Sequence, residues 1–165
     1  MFACLPHPTK LSNNGNMMVK RGRILFLILG SLIVINEGAN IIFAFSGASE
    51  NFRWFQSVLL PATMIWIVWS LWQTGDKWER WILATCMLLK GLTTLAGISF
   101  LMYNLNTVPP SEGKDILLQI TSSLSVVYAT YACIHVAIGL TLFLSPSVRV
   151  FLETRSQDHD EEFSF

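Results

Sequence analysis

The sequence predicts an all-α protein, an integral membrane bundle of four transmembrane helices. The chain has 165 residues, of which 52% are apolar and only 13% are charged. A soluble domain of this size carries about a quarter charged residues. The apolar residues lie in long uncharged runs, which is the pattern of membrane spans rather than of a soluble core. The formal net charge is zero, so the composition does not favour a nucleic-acid partner.

The first predicted span covers residues 24–45 and follows the basic residues Lys20, Arg21 and Arg23. A helix of this length reaches about 33 Å, enough for a hydrocarbon core of roughly 30 Å. A cleavable signal peptide is the alternative, because it also places basic residues before an apolar run. The segment is longer than the usual apolar region of about 7–15 residues and contains Glu37, which favours an uncleaved span.

Three further apolar runs predict spans over residues 57–73, 81–103 and 116–144. Pro61 lies in the first turn of the second span, where the missing N–H costs little. Pro146 directly follows the fourth span and is expected to end it. The linkers between the spans are polar and short, so the chain has no room for a soluble domain.

The predicted transmembrane domain is residues 20–145, and the two ends of the chain are expected to lie outside it. Residues 1–19 show no periodicity and are expected to be a disordered N-terminus, with Met17 or Met18 as an alternative start of translation. Residues 146–165 are polar and acid-rich, and are expected to form a mobile tail.

Basic residues predict the orientation of the bundle. Eight lysine and arginine residues flank the spans on the side of both termini, and two flank them on the other side. The eight are Lys10, Lys20, Arg21, Arg23, Lys77, Arg80, Arg149 and Arg155, and the two are Arg53 and Lys114. The positive-inside rule therefore predicts that both termini are cytoplasmic. The layout resembles that of small multi-pass proteins of the bacterial inner (plasma) membrane, which is the expected location.

Three ionisable residues lie at membrane depth: Glu37, Lys90 and His135. Such residues cost about 2.5–3.5 kcal/mol on insertion, so they usually face other helices or a water-filled cavity. Asn36 and Asn40 are on the same side of the first helix as Glu37. We expect a buried ion pair between Glu37 and Lys90, with the two asparagines and His135 hydrogen-bonded around it.

Two interpretations of this cluster remain open at the level of sequence. It can be structural, with hydrogen bonds and one ion pair that specify which helices meet. It can also bind a substrate or relay protons through Glu37 and His135. A third possibility removes the ion pair, because Lys90 can extend toward the cytoplasmic interface and face lipid.

Motifs for catalysis and for cofactors are missing from the sequence. There is no HExxH, no Glu-x-x-His pair, no GxSxG turn and no phosphate-binding glycine loop. The three cysteines have no CxxC spacing, and His135 is the single histidine in a predicted span, which disfavours metal sites and haem with two histidine ligands. We therefore expect no cofactor, no metal and no enzymatic activity.

The expected function is that of an accessory, assembly or partner-binding membrane subunit. The alternative is a small oligomeric transporter or channel unit that uses Glu37, Lys90 and His135. A membrane enzyme or electron carrier is disfavoured by the missing ligands. The expected partners are the lipid bilayer and either further copies of the chain or other membrane proteins, without nucleic acid.

Overall fold

The computed structural model describes residues 13–46, 58–107 and 114–162, and the regular structure in these ranges is helical. Five helices follow one another along the chain: α1 (Asn13–Phe45), α2 (Leu60–Thr74), α3 (Lys77–Thr107), α4 (Lys114–Leu144) and α5 (Pro146–Glu162). The all-α class predicted from the sequence is confirmed.

Three of the helices are long and apolar enough to cross a membrane. These candidate spans cover Gly15–Ile42 of α1, Lys77–Thr107 of α3 and Leu118–Leu144 of α4. α2 has 15 residues. At 1.5 Å per residue it reaches only about 22 Å, which is shorter than the hydrocarbon core. The chain is thus an integral membrane protein with three candidate spans among its described residues.

The chain forms two compact units, which are described separately. The first contains α1, α2 and α5, and the second contains α3 and α4. In the first unit α1 packs against both α2 and α5, and α2 also contacts α5.

Two glycines allow the helices of the first unit to approach closely. A Cβ atom on Gly22 of α1 would collide with the backbone of Ser147 in α5. Gly75 ends α2 with a φ of 67°, and its N–H donates to the Leu71 carbonyl at 3.0 Å. A side chain at Gly75 would be strained by this left-handed backbone and would also collide with the Leu152 carbonyl.

Helix α5 corrects the expectation of a mobile tail over residues 146–165. Pro146 begins this helix, consistent with the preference of proline for the first helical position. Val148, Phe151 and Leu152 are buried, at the spacing of one helix face. Burial of this apolar face packs the segment against α1 and α2. The acidic residues at the end of the chain hid this apolar pattern in the sequence. Residues 163–165 lie outside the described residues.

The N-terminus also differs from the expectation in part. α1 begins at Asn13, so residues 13–19 continue the helix of the first span instead of being disordered. The expectation for residues 1–12, including an alternative start, concerns residues outside the described ranges. The helix extends in this direction because residues 13–19 lead into the apolar segment and contain no proline.

The second unit is an antiparallel pair of helices in close contact. A Cβ atom on Gly91 of α3 would lie 2.8 Å from the Ala132 carbonyl oxygen of α4. A Cβ atom on Gly139 of α4 would lie 2.9 Å from the Ala84 carbonyl oxygen of α3. Each helix thus places an alanine and a glycine, two turns apart, against the backbone of the other. Small residues at these positions are the usual means by which helices pack in lipid.

Candidate functional site

The candidate site in the first unit is the carboxylate of Glu37, in the span Gly15–Ile42 of α1. Its side chain is 0% exposed. Asn36 Nδ2 donates to Oε1 at 3.1 Å, and Asn40 Nδ2 donates to Oε2 at 3.2 Å. Each carboxylate oxygen therefore accepts a hydrogen bond from an amide on the same helix. These bonds offset part of the cost of removing the carboxylate from water.

The position of the two asparagines on one helix explains how this arrangement arises. Asn40 lies one turn beyond Glu37, where side chains on a helix meet, and Asn36 is the preceding residue. Both of these amide donors to Glu37 therefore come from α1.

In the second unit, Tyr131 of α4 connects the two other candidate residues. Lys90 Nζ of α3 lies 5.8 Å from the centroid of the Tyr131 ring. The Tyr131 ring also contacts the imidazole of His135, with 4.1 Å between the ring centroids. A cation above an aromatic face is attracted by the quadrupole of the ring, more strongly where water is excluded. Lys90, which is half-buried, thus lies against the Tyr131 ring of α4.

His135 is buried, and one nitrogen of its ring is hydrogen-bonded to the backbone of α4. Nδ1 lies 2.8 Å from the carbonyl oxygen of Tyr131. A carbonyl can only accept a hydrogen bond, so Nδ1 carries a proton and donates it to this carbonyl. This bond to the backbone of its own helix fixes the orientation of the imidazole.

The structure brings the five candidate residues together in two groups. Asn36, Glu37 and Asn40 form the first group on α1, whereas Lys90 and His135 meet around Tyr131 in the second unit. The ion pair between Glu37 and Lys90 would join the two units and stays a prediction. The contact of Tyr131 with Lys90 was not expected from the sequence.

A second cluster, which the sequence analysis did not identify, surrounds Trp72 near the end of α2. Its indole stacks with Phe26 of α1 at 6.2 Å and packs against Phe151 of α5 at 5.8 Å, between ring centroids. Arg23 and Arg155 place their guanidinium carbons 5.6 Å and 5.3 Å from the centroid of the same indole. We call these five residues the Trp72 cluster. The apolar spacing in α5 was the signal that could have revealed it.

Next to the Trp72 cluster, α1 and α2 enclose an open groove of about 510 Å³. Its lining is apolar except for Ser31 and includes Trp72 and Phe26 at one end. Gly30 is also part of the lining, and a Cβ atom there would lie 3.1 Å from Val68 Cγ1, so the glycine allows α1 and α2 to approach closely. Glu37 does not belong to this lining.

The described side chains offer no metal site, since no group of three or more His, Cys, Asp or Glu residues among them could hold an ion. Cys86 and Cys133 are free thiols. Comparison of the chain with models of known protein families, with curated proteins and with solved structures gives no match. The class of protein therefore follows from the helices themselves: three candidate spans make this an integral membrane protein.

Proposed function

We propose that this chain is a non-enzymatic, four-span membrane protein that acts as an accessory, assembly or partner-binding subunit. The observation that carries the proposal is the local bonding of the polar residues at membrane depth. Glu37 accepts from two amides of its own helix, and His135 donates to a carbonyl of its own helix. Buried polar groups that have hydrogen-bond partners within the protein need no bound substrate to satisfy them.

The apolar groove agrees with a structural role for Glu37. A proton or substrate pathway needs an aqueous cavity that reaches the titrating group. The groove between α1 and α2 has an apolar lining and does not include Glu37. Trp66 of α2 is 62% exposed, and an exposed tryptophan within a span fits a surface that packs against another membrane protein.

The proposed fourth span is α2 together with the residues that precede it. Leu59 already has helical backbone angles, with φ of −65° and ψ of −48°, so the helical backbone extends before Leu60. With Val58 and Leu59 the helical segment reaches 17 residues, or about 26 Å, which is closer to the thickness of the bilayer.

Packing in the first unit supports the proposed location of both termini on one side. Gly22 and Phe26, near the start of the first span, contact Ser147 and Phe151 of α5. Because α5 follows the last span directly, an even number of crossings brings it to the same membrane face as the start of α1. The basic residues of both segments favour the cytoplasmic face.

The test is a comparison of three variants expressed in membranes: Lys90→Met, Glu37→Gln and the double variant. We expect Lys90→Met to reduce the amount of folded protein sharply, because it would leave a buried carboxylate without its cation. The double variant should recover part of that loss. The amount of monodisperse protein after size-exclusion chromatography measures the effect, with Glu153→Gln on the exposed face of α5 as the control.

Single variants as abundant as the parent would show that the ion pair does not form. A second candidate function, a small transporter or channel unit, is favoured by the complete burial of Glu37 at membrane depth. It predicts pH-dependent flux in proteoliposomes that Glu37→Gln abolishes at an unchanged protein amount. That result would replace the proposed accessory role.

A further inference from the structure

The groove between α1 and α2 has the length of one leaflet of a bilayer. On α1 its lining begins at Phe26 and ends at Ile35, and on α2 it extends from Trp72 back to Ile65. Nine residues of helical rise correspond to about 14 Å. This is close to half of the roughly 30 Å hydrocarbon core. The groove thus runs from the interface near Trp72 toward the middle of the membrane.

The two ends of the groove differ in charge. At the interfacial end, Arg23 and Arg155 flank Trp72, whose ring lines the groove. Among the described side chains, no carboxylate forms an ion pair with either guanidinium. The other end, around Val34 and Ile35, is apolar. This is the arrangement of charge that an amphiphile with an anionic head and an apolar chain would match.

The geometry of the two arginines favours an anion between or beside them. Both guanidinium carbons lie within 5.6 Å of one ring centroid, so they are at most twice that distance apart. Two positive charges beside one ring create a local positive potential, which attracts an anion. The planar guanidinium group also binds phosphate oxygens in a bidentate manner.

We propose that this groove binds one acyl chain of an anionic phospholipid, and that Arg23 and Arg155 bind its phosphate. The small side chain of Ser31 leaves space for the acyl chain, and Gly30 beside it lets α1 approach Val68 of α2 closely. Since Arg155 belongs to α5 and Arg23 to α1, the lipid connects the two helices. The bound lipid therefore stabilises the docking of α5 on the first unit.

The occupant is a lipid rather than a second protein because of the chemistry at the end of the groove. A partner helix in lipid would need small or polar residues to pack against α1 and α2. It would also need carboxylates of its own to neutralise the two guanidinium groups. Anionic lipids supply that charge at the required depth and are abundant in the cytoplasmic leaflet. The proposal depends on the bilayer only and not on the accessory role.

The test is native mass spectrometry of the full-length protein in a neutral maltoside detergent. Dioleoylphosphatidylglycerol, dioleoylphosphatidylcholine and glycerol phosphate are titrated separately. We expect phosphatidylglycerol to bind about tenfold more tightly than phosphatidylcholine, which corresponds to one charge-assisted contact. Glycerol phosphate, which has the headgroup charge without the chains, should not bind measurably at the same concentrations.

Two sets of variants separate the head and chain contributions. Arg23→Gln and Arg155→Gln should each weaken phosphatidylglycerol binding about tenfold, and phosphatidylcholine binding by only about threefold, because choline already balances the charge of that lipid's phosphate. Arg21→Gln removes an equal charge from an exposed position of the same helix and is the matched control, with an expected change of less than about twofold. Arg23→Lys keeps the charge without the planar fork and should give an intermediate loss.

Ser31→Phe fills the groove from an exposed position and should weaken binding of both phospholipids about tenfold. Ser99→Phe, at an exposed position of α3, is its control. Val34→Phe tests the same volume at a second exposed lining residue, in case Ser31→Phe does not fold. All variants are compared at equal helical content by circular dichroism.

Several results would overturn the proposal. Equal affinity for the two phospholipids would exclude headgroup recognition. An effect of Arg21→Gln as large as that of Arg23→Gln would show that general surface charge, and not a specific site, attracts the lipid. Binding of glycerol phosphate with the affinity of the lipid would assign the arginines to a free phosphate. A change of oligomeric mass in Ser31→Phe, with lipid binding unchanged, would assign the groove to a second copy of the chain.

Discussion

The two units of this protein pack their helices by different means. The first unit is held by large side chains around Trp72, together with the amphipathic face of α5. The second unit is held by glycine and alanine residues that bring the backbones of α3 and α4 together. We attribute this difference in packing to the surroundings of the helices, which are water for α5 and lipid for α3 and α4. α5 carries charged residues on its exposed face and gains from removing apolar surface from water, whereas two helices in lipid gain mainly from close packing.

Close packing of backbones in the second unit makes two glycines of one helix differ in their tolerance of a side chain. Gly91 lies against the backbone of Ala132, while a Cβ on Gly97, in the same helix, would meet no described atom within 4 Å. A backbone cannot move aside as a flexible side chain can, so the first position excludes a side chain and the second tolerates one.

The largest expected effect is therefore that of Gly91→Leu. The added side chain would force α3 and α4 apart, and we expect a loss of about 4 kcal/mol or more, in the range of severe core disruption. Gly97→Leu is the matched control and should change stability by less than about 0.5 kcal/mol. Thermal unfolding in detergent, followed by circular dichroism, measures both. Equal midpoints for the two variants would contradict close packing at Gly91.

The second effect is expected from Phe151→Ala in the first unit. Phe151 is buried and contacts both Phe26 and Trp72, so its truncation should cost about 3 kcal/mol. The loss should release α5 while α3 and α4 stay folded, because the cluster holds the first unit only.

Hydrogen exchange of peptides from α5 and α3 separates these outcomes. In Phe151→Ala we expect faster exchange in α5 and unchanged exchange in α3. Glu153→Ala, at an exposed position of α5 whose carboxylate accepts from Arg149 Nε at 2.7 Å, should leave both unchanged. Unaltered protection of α5 in Phe151→Ala would show that the cluster does not hold this helix.

The smallest expected effect concerns Tyr131. Tyr131→Phe retains the ring beneath Lys90, whereas Tyr131→Leu removes it, and the difference between the two variants should be about 1 kcal/mol in favour of phenylalanine. Chemical denaturation in mixed micelles can resolve a difference of this size. If both variants unfold at the same denaturant concentration, the contact of the ammonium with the ring contributes nothing to stability.

Much of the helical framework could be predicted from the sequence. The end of α4 at Leu144 agrees with the prediction, and α3 contains the predicted range 81–103 with extra turns at both ends. Long uncharged runs determine such segments locally, since a backbone in lipid must satisfy its own hydrogen bonds. Helix α5 was missed because its buried face has only a few apolar residues. How much their burial stabilises the helix depends on the surface that they contact.

One part of the candidate site could likewise be predicted from the sequence, and another part could not. The group of Asn36, Glu37 and Asn40 follows from spacing along one helix and was expected from the sequence. The contact of Lys90 with Tyr131 joins two helices, so it depends on their rotation and register, which no single segment contains.

The sequence by itself determined that this chain is helical, that it resides in a membrane and that ionisable residues lie within its spans. These properties depend on composition and on periodicity along one helix, which are local. Only the tertiary structure decided that α5 packs on α1 and α2, and that two arginines distant in the chain meet one indole. Contacts of this kind arise from the shapes of surfaces that meet after the helices have formed.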